Sequence, residues 1–137
     1  MKTGLTHGVF DLLHSGHMAH LEQASLLCDK LVVSVLADRY ISKGFVINDE
    51  RTRMYQVSRV KGVAEVVLCD EAPGPWPIMN RLMPDYYIRK DEYVDRKQPE
   101  YMVAEKLGIG CVFTKTVPPH ATELIRRIWD LKEKYDK

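Results

Sequence analysis

The segment THGVFDLLHSGH, Thr6 to His17, ends on two histidines three residues apart, His14 and His17, with Gly16 between them. If a helix opens near Ser15, residues three apart share a face, so both imidazoles point from its first turn into one cleft. Gly8 ends an apolar strand and is expected to let the chain turn sharply. The amides after it, with the unpaired amides of the helix start, then form a concave set of donors for phosphate oxygens. Gly16 places no side chain between the imidazoles, which leaves room for a phosphate to approach the backbone. Such a set suits an oxyanion, above all one whose charge grows as a bond breaks. The spacing alone admits blander readings. Paired histidines near a helix start also serve as caps and surface groups, while a metal site finds no third ligand in register.

The elements around this segment decide where it stands. Residues 1–7 read as a strand, and His14 to Asp29 carries apolar residues at a helical period. KLVVSVLAD is an almost unbroken apolar run, the pattern of a strand covered by helices on both faces. A helix over Glu50 to Val60 follows, then the strand AEVVLCD, a short helix from Pro77 to Met83, the strand DYYIR, a helix from Pro99 to Leu107, the strand GCVFT and a closing helix from Ala121 to Tyr135. The proline cluster APGPWP, residues 72–77, reads as a surface loop. This alternation predicts a Rossmann-like α/β fold, a three-layer sandwich around a central parallel sheet, whose ligands collect beyond the carboxyl ends of the strands. Gly8 lies at such an end.

Residues 1–137 are expected to form a single domain, a size that supports one proper core. The chain is 45% hydrophobic and 28% charged with a net charge of +1, so it has no bulk attraction for nucleic acid or a membrane surface. Any anion must be held by local groups. Cys28, Cys69 and Cys111 are odd in number and far apart, which argues against disulfides and a zinc cluster and fits a reducing cytoplasm. No apolar run has the length of a signal peptide or a membrane span, so a soluble protein is expected.

GVFDLLHSGH resembles the G-x-F-D-x-x-H-x-G-H signature of the cytidylyltransferase-like nucleotidyltransferases, which include glycerol-3-phosphate cytidylyltransferase and the nucleotidyl domain of ADP-heptose synthase. The resemblance implies transfer of a nucleoside monophosphate to a phosphorylated alcohol or sugar, with release of pyrophosphate. It implies that His14 and His17 bind the triphosphate and stabilise the transition state, among nucleotide contacts at Gly8, Val9, Phe10, Asp11 and Gly16, with Thr6 at the strand end. Asp11 could orient a histidine or the helix start, or be only a turn residue. LVVSVLADRYISKG is similar to the family's second strand and loop, where a lysine before a glycine holds phosphates, which implies that role for Lys43. ERTRMYQVSRVKGVAEVV puts the family's phosphate-region arginine at Arg53. PDYYIRKDEY resembles the segment lining the base or acceptor pocket and implies Lys90, Asp91 and Tyr93 there, although Lys90 stands where the family often has glycine. In KTVPPHATEL, Lys115 replaces an arginine, Thr116 and Thr122 match threonines, and His120 and Ala121 replace hydroxyl residues. His7 and His20 match no family role and read as surface or packing groups.

The resemblance further implies Mg²⁺ carried by the nucleotide, no metal held by the protein, and a homodimer. Its partners are then a nucleoside triphosphate and a small phosphorylated acceptor. CTP is the first expectation for the donor. ATP is the alternative, as in the sugar-nucleotide branch, and a nucleotide-binding module without turnover is the reading from another class.

Overall fold

The computed structural model describes residues 1–42, 46–94, 98–117 and 121–135. Five strands, β1 (Thr3–Gly8), β2 (Lys30–Leu36), β3 (Val63–Cys69), β4 (Tyr86–Lys90) and β5 (Gly110–Thr114), form one sheet in the order β3-β2-β1-β4-β5. Every pairing is parallel. Between and after them run α1 (Ser15–Leu26), α2 (Glu50–Ser58), α3 (Trp76–Leu82), α4 (Pro99–Leu107) and α5 (Ala121–Tyr135). This is the expected Rossmann-like α/β architecture. The chain leaves β1 toward β2 and β3, then crosses back to place β4 on the other side of β1. The strand order therefore reverses beside β1, and a crevice opens above its carboxyl end.

β2 shows why an unbroken apolar run marks a covered strand. Leu31, Val33 and Val35 pack with Leu21 and Ala24 of α1 and Val57 of α2, while Val32 and Leu36 pack with Ile78 and Met79 of α3 and Ala104 of α4. Successive side chains enter opposite layers, so both must be apolar. The exception is Ser34, fully buried and hydrogen-bonded at 2.9 Å to His7 Nδ1 on β1.

Helix limits follow local chemistry. Pro99 opens α4, and Gly108, at φ 73°, closes it in the left-handed conformation. α1 ends at Leu26, short of the expected Asp29. There the Asp29 carboxylate accepts the Lys2 amide at 2.7 Å and the Asp29 amide donates to the Lys2 carbonyl at 2.7 Å, so the residue aligns the start of β2 with β1. No helix among the described residues is long and apolar enough to cross a membrane.

The sharp turn expected at Gly8 lies further on. Gly8 is still paired with Val35, and the left-handed residues are Phe10 (φ 55°) and Leu12 (φ 50°). Phe10 is held there by burying its ring in the α1/α2 layer. A Cβ on Gly8 would meet that ring at 3.0 Å, so glycine here makes room for Phe10 rather than bending the chain.

Candidate active site

The start of α1 is closed by its own histidines. His14 is the N-cap, and its Nδ1 accepts the Gly16 amide at 3.0 Å, while His17 Nδ1 accepts the His14 amide at 3.3 Å. This is a reciprocal capping box built from two imidazoles in place of a hydroxyl and a carboxyl. The rings stack with centroids 3.8 Å apart at 30°, and Phe10 meets His17 edge-on at 5.6 Å. Since each Nδ1 accepts from an amide, the proton of each neutral ring sits on Nε2, which makes Nε2 the donor.

Above the strand ends lies a cavity of about 620 Å³. Gly8, Val9, Phe10, Asp11 and His17 line its centre; Leu36, Tyr40, Ile41, Ser42 and Val46, all uncharged, are the described residues of the wall beyond β2; Arg89, Lys90 and Tyr93 form a cationic wall beyond β4. His7, His20, Pro73 and Ile125 complete the lining. Asp11 lies inside it with both carboxylate oxygens engaged. Oδ1 accepts the Leu12 and Asn48 amides at 3.1 and 2.9 Å, and Oδ2 accepts the Ile47 amide at 2.7 Å. The carboxylate thereby ties the loop before α2 to the loop after β1.

Two further histidines are tuned to stay neutral. His20, 4% exposed, bridges Thr6 Oγ1 at 2.8 Å and Thr114 Oγ1 at 2.6 Å, joining α1 to β1 and β5. Burial, with the nearby charges of Lys90 and Arg89, lowers its pKa to about 3. His7 is lowered to about 3 by burial and by Arg89. Arg89 donates from Nη1 to the His7 carbonyl at 3.0 Å and lies 4.3 Å from the Tyr93 ring centroid. Burial opposes its charge, but Tyr87, Glu100 and Tyr101 outweigh this and raise its pKa above the ordinary value.

The family model described as cytidylyltransferase-like matches residues 5–133. The chain belongs to that family. It is 32% identical to a bifunctional protein HldE from Hyphomonas neptunium and 35% identical to one from Histophilus somni, alignments that cover 91% and 96% of this chain. They cover 26% and 29% of those relatives, so the chain spans about a quarter of the length of the curated proteins it matches. Among solved structures it resembles the lipopolysaccharide core biosynthesis protein of Thermoplasma volcanium, at 28% identity and a TM-score of 0.69, over 88% of this chain and 99% of that one.

The site residues expected of a cytidylyltransferase-like chain divide into three groups. Gly8, Val9, Phe10, Asp11, His17, Lys90 and Tyr93 meet at the cavity. A second group is engaged elsewhere. The two histidines do not both line the cavity: His14, 7% exposed, stacks behind His17 because the cap turns it into the helix start. Gly16 is buried with its amide given to His14, so it does not offer that amide to an anion. Thr6 is fully buried and donates to the Ile88 carbonyl at 2.7 Å. Arg53 is corrected most sharply. It is completely buried, donating to the carbonyls of Val9, Leu36 and Asn48 and pairing with Asp38 at 2.5 Å, and it does not line the cavity. It stitches the ends of β1 and β2 to α2. Asp91 accepts the Thr116 hydroxyl and amide at 2.5 and 2.9 Å, bonds that hold its carboxyl below the usual range and clasp the ends of β4 and β5. Lys115 is exposed and bound through its backbone to Gln23 of α1. The third group, Lys43, His120 and the Thr122 side chain, lies outside the described residues.

Sequence reasoning missed Arg89, and it placed His7 and His20 as surface or packing groups although both line the cavity. The position of Arg89 at the carboxyl end of the strand DYYIR was the available signal. The histidine network had none, since Thr114 is 94 residues from His20.

Proposed function

We propose that this chain transfers a nucleoside monophosphate from a nucleoside triphosphate to a phosphorylated sugar or alcohol and releases pyrophosphate. The observation that carries this reading is His17 at the cavity, at the amino-terminal end of a helix, with its Nδ1 accepting in the cap so that Nε2 is the donor nitrogen of the ring. In this reaction an oxygen of the acceptor phosphate attacks the α-phosphorus, the bond to the β-phosphoryl bridging oxygen breaks, and pyrophosphate leaves with that electron pair. The acceptor oxygen is already anionic, so the protein's work is alignment and charge stabilisation. His17 donates to an α-phosphoryl oxygen as charge builds there, the helix dipole adds to it, and His14 holds the ring from behind. Lys43 is assigned to the departing phosphates.

The donor groups at the helix start suit phosphate oxygens and not a cation. The cavity's carboxylate, Asp11, is already engaged by three amides, and no cluster among the described residues could hold a metal ion. Mg²⁺ is assigned to the nucleotide's phosphate oxygens, where it would neutralise charge.

The likeness to a protein described by lipopolysaccharide core biosynthesis supports a phosphorylated sugar as acceptor. That favours the sugar-nucleotide branch, so ATP moves ahead of CTP as the donor. The chain is further assigned as a homodimer, supported by the apolar stripe of α5, where Ile128 is 60% and Trp129 59% exposed. The test measures pyrophosphate release from each of the four nucleoside triphosphates with Mg²⁺ and a panel of sugar and polyol phosphates. Release with ATP and a sugar phosphate is expected. Release with CTP alone reverses the donor assignment, and nucleotide binding without release from any pair overturns the enzymatic reading.

A further inference from the structure

We propose that Arg89 and Lys90, at the carboxyl end of β4, form a subsite for a second anionic group on the acceptor, a carboxylate or a phosphate separate from the phosphate that attacks. This rests on the nucleotidyl-transfer reading above. Lys90 lines the cavity half-buried, and its ammonium makes no hydrogen bond or ion pair with any described residue. Burial lowers its proton affinity, and the nearby Glu92 charge restores part of it without approaching to ion-pair distance. A desolvated ammonium lacking a close counter-charge is stabilised by an anionic ligand. Arg89 stands next to it, fixed by the His7 carbonyl and the Tyr93 ring, and its Nε is buried with no hydrogen-bond partner.

The surroundings leave the Lys90 charge without a close counter-charge. His7 and His20 are neutral, and Glu100, a buried carboxyl that accepts the Tyr87 hydroxyl at 3.3 Å, acts on Arg89. Asp11, the one carboxylate among the described residues lining the cavity, is engaged by amides, and the described residues of the wall beyond β2 carry no charge. Two cations are thus gathered on one wall, flanking the centre where His17 stands. A single attacking phosphate, aligned at that centre, does not need them. An acceptor with a second acid group does.

Direct binding to the full chain tests this without turnover. With the triphosphate site filled by the α,β-methylene analogue of ATP or CTP and Mg²⁺, calorimetric titration compares glycerol 3-phosphate with 3-phosphoglycerate, which differ by a carboxylate. The wild-type chain is expected to bind the carboxylated probe about tenfold more tightly, the ratio of a charge-assisted hydrogen bond. Lys90→Gly is expected to abolish most of that preference with unchanged affinity for the methylene nucleotide. Arg89→Lys, which keeps the charge and loses the fork, is expected to reduce it. Weakened nucleotide binding in Lys90→Gly with the probe preference intact assigns the cations to the nucleotide's own phosphates and overturns the proposal. Equal binding of the two probes by the wild type, or binding of neither, overturns it as well. If no methylene nucleotide binds, the nucleotidyl-transfer reading fails, while the probe preference measured without nucleotide still decides the subsite.

Discussion

An imidazole that accepts an amide at Nδ1 is oriented by the backbone, and at the start of α1 two such rings stand in series, His17 at the cavity and His14 behind it. Their replacement should therefore have different consequences. His17→Ala removes a donor to the reacting phosphoryl group and is expected to lower kcat by roughly 100-fold to 1000-fold with little change in nucleotide affinity. His14→Ala removes the N-cap side chain and is expected to cost about 1 kcal/mol in urea unfolding as well as activity. Equal losses of stability in the two variants, with no excess loss of kcat for His17→Ala, would count against the assignment. Arg53 supplies the contrasting case. Buried among three carbonyls and Asp38, it belongs to the folded frame, so Arg53→Met is expected to destabilise the chain by about 3 kcal/mol. A stable Arg53→Met variant with weakened triphosphate binding would return the arginine to the phosphates.

Among the elements, the loops at the carboxyl ends of β1 and β2 bring the two sides of the site together, and Asp11 is their tie. Asp11→Ala releases the amides of Leu12, Ile47 and Asn48, all next to the cavity's edge, so KM for the nucleotide is expected to rise by about tenfold with a smaller effect on kcat. A fall in kcat alone, at constant KM, would instead mean that the carboxylate acts at the reaction centre. The elements themselves were legible in the sequence because their signals are local. The unbroken run of β2 reports two covering layers, and Pro99 and Gly108 bracket α4. What escaped depends on distance along the chain. That Asp29 is withdrawn from α1 depends on Lys2, and the burial of Arg53 depends on carbonyls from Val9 to Asn48. The left-handed backbone at Phe10 and Leu12 was illegible for another reason, since their residue types disfavour it; at Phe10 the burial of the ring compensates. Within the site, the signature pointed to both histidines, and separating His17, which lines the cavity, from His14, which does not, required the stacking geometry.

For the molecule as a whole, the apolar stripe of α5 and the buried histidines each act on its folded population. Leu124, Ile128 and Leu131 recur at helical spacing on α5, with Trp129 beside them. If the homodimer proposed above forms through this stripe, Trp129→Glu is expected to shift the mass measured by light scattering from two chains to one; an unchanged dimer would place the interface elsewhere, and a wild-type mass of one chain would overturn the homodimer. His20 sets a pH limit. Its native pKa is about 3 against 6.5 unperturbed, so the unfolded chain takes up a proton near pH 6.5 that the native chain refuses until about pH 3. Between those values the unfolded state binds more protons, and stability is lost as the pH falls, by up to about 1.4 kcal/mol per pH unit for this histidine. His7, lowered to about 3 by burial and by Arg89, contributes in the same direction. Asp91 and Asp49 carboxyls, held below their ordinary range by Thr116 and Thr52, add their losses only in more acid solution. Urea unfolding compared between pH 6.5 and 4.5 therefore isolates the histidines. The wild-type chain is expected to weaken steadily across that interval, and His20→Gln to start less stable but weaken with a shallower slope. A slope identical in the two chains would mean that His20 is protonated in the native state, and the neutral bridge between Thr6 and Thr114 would have to be redrawn.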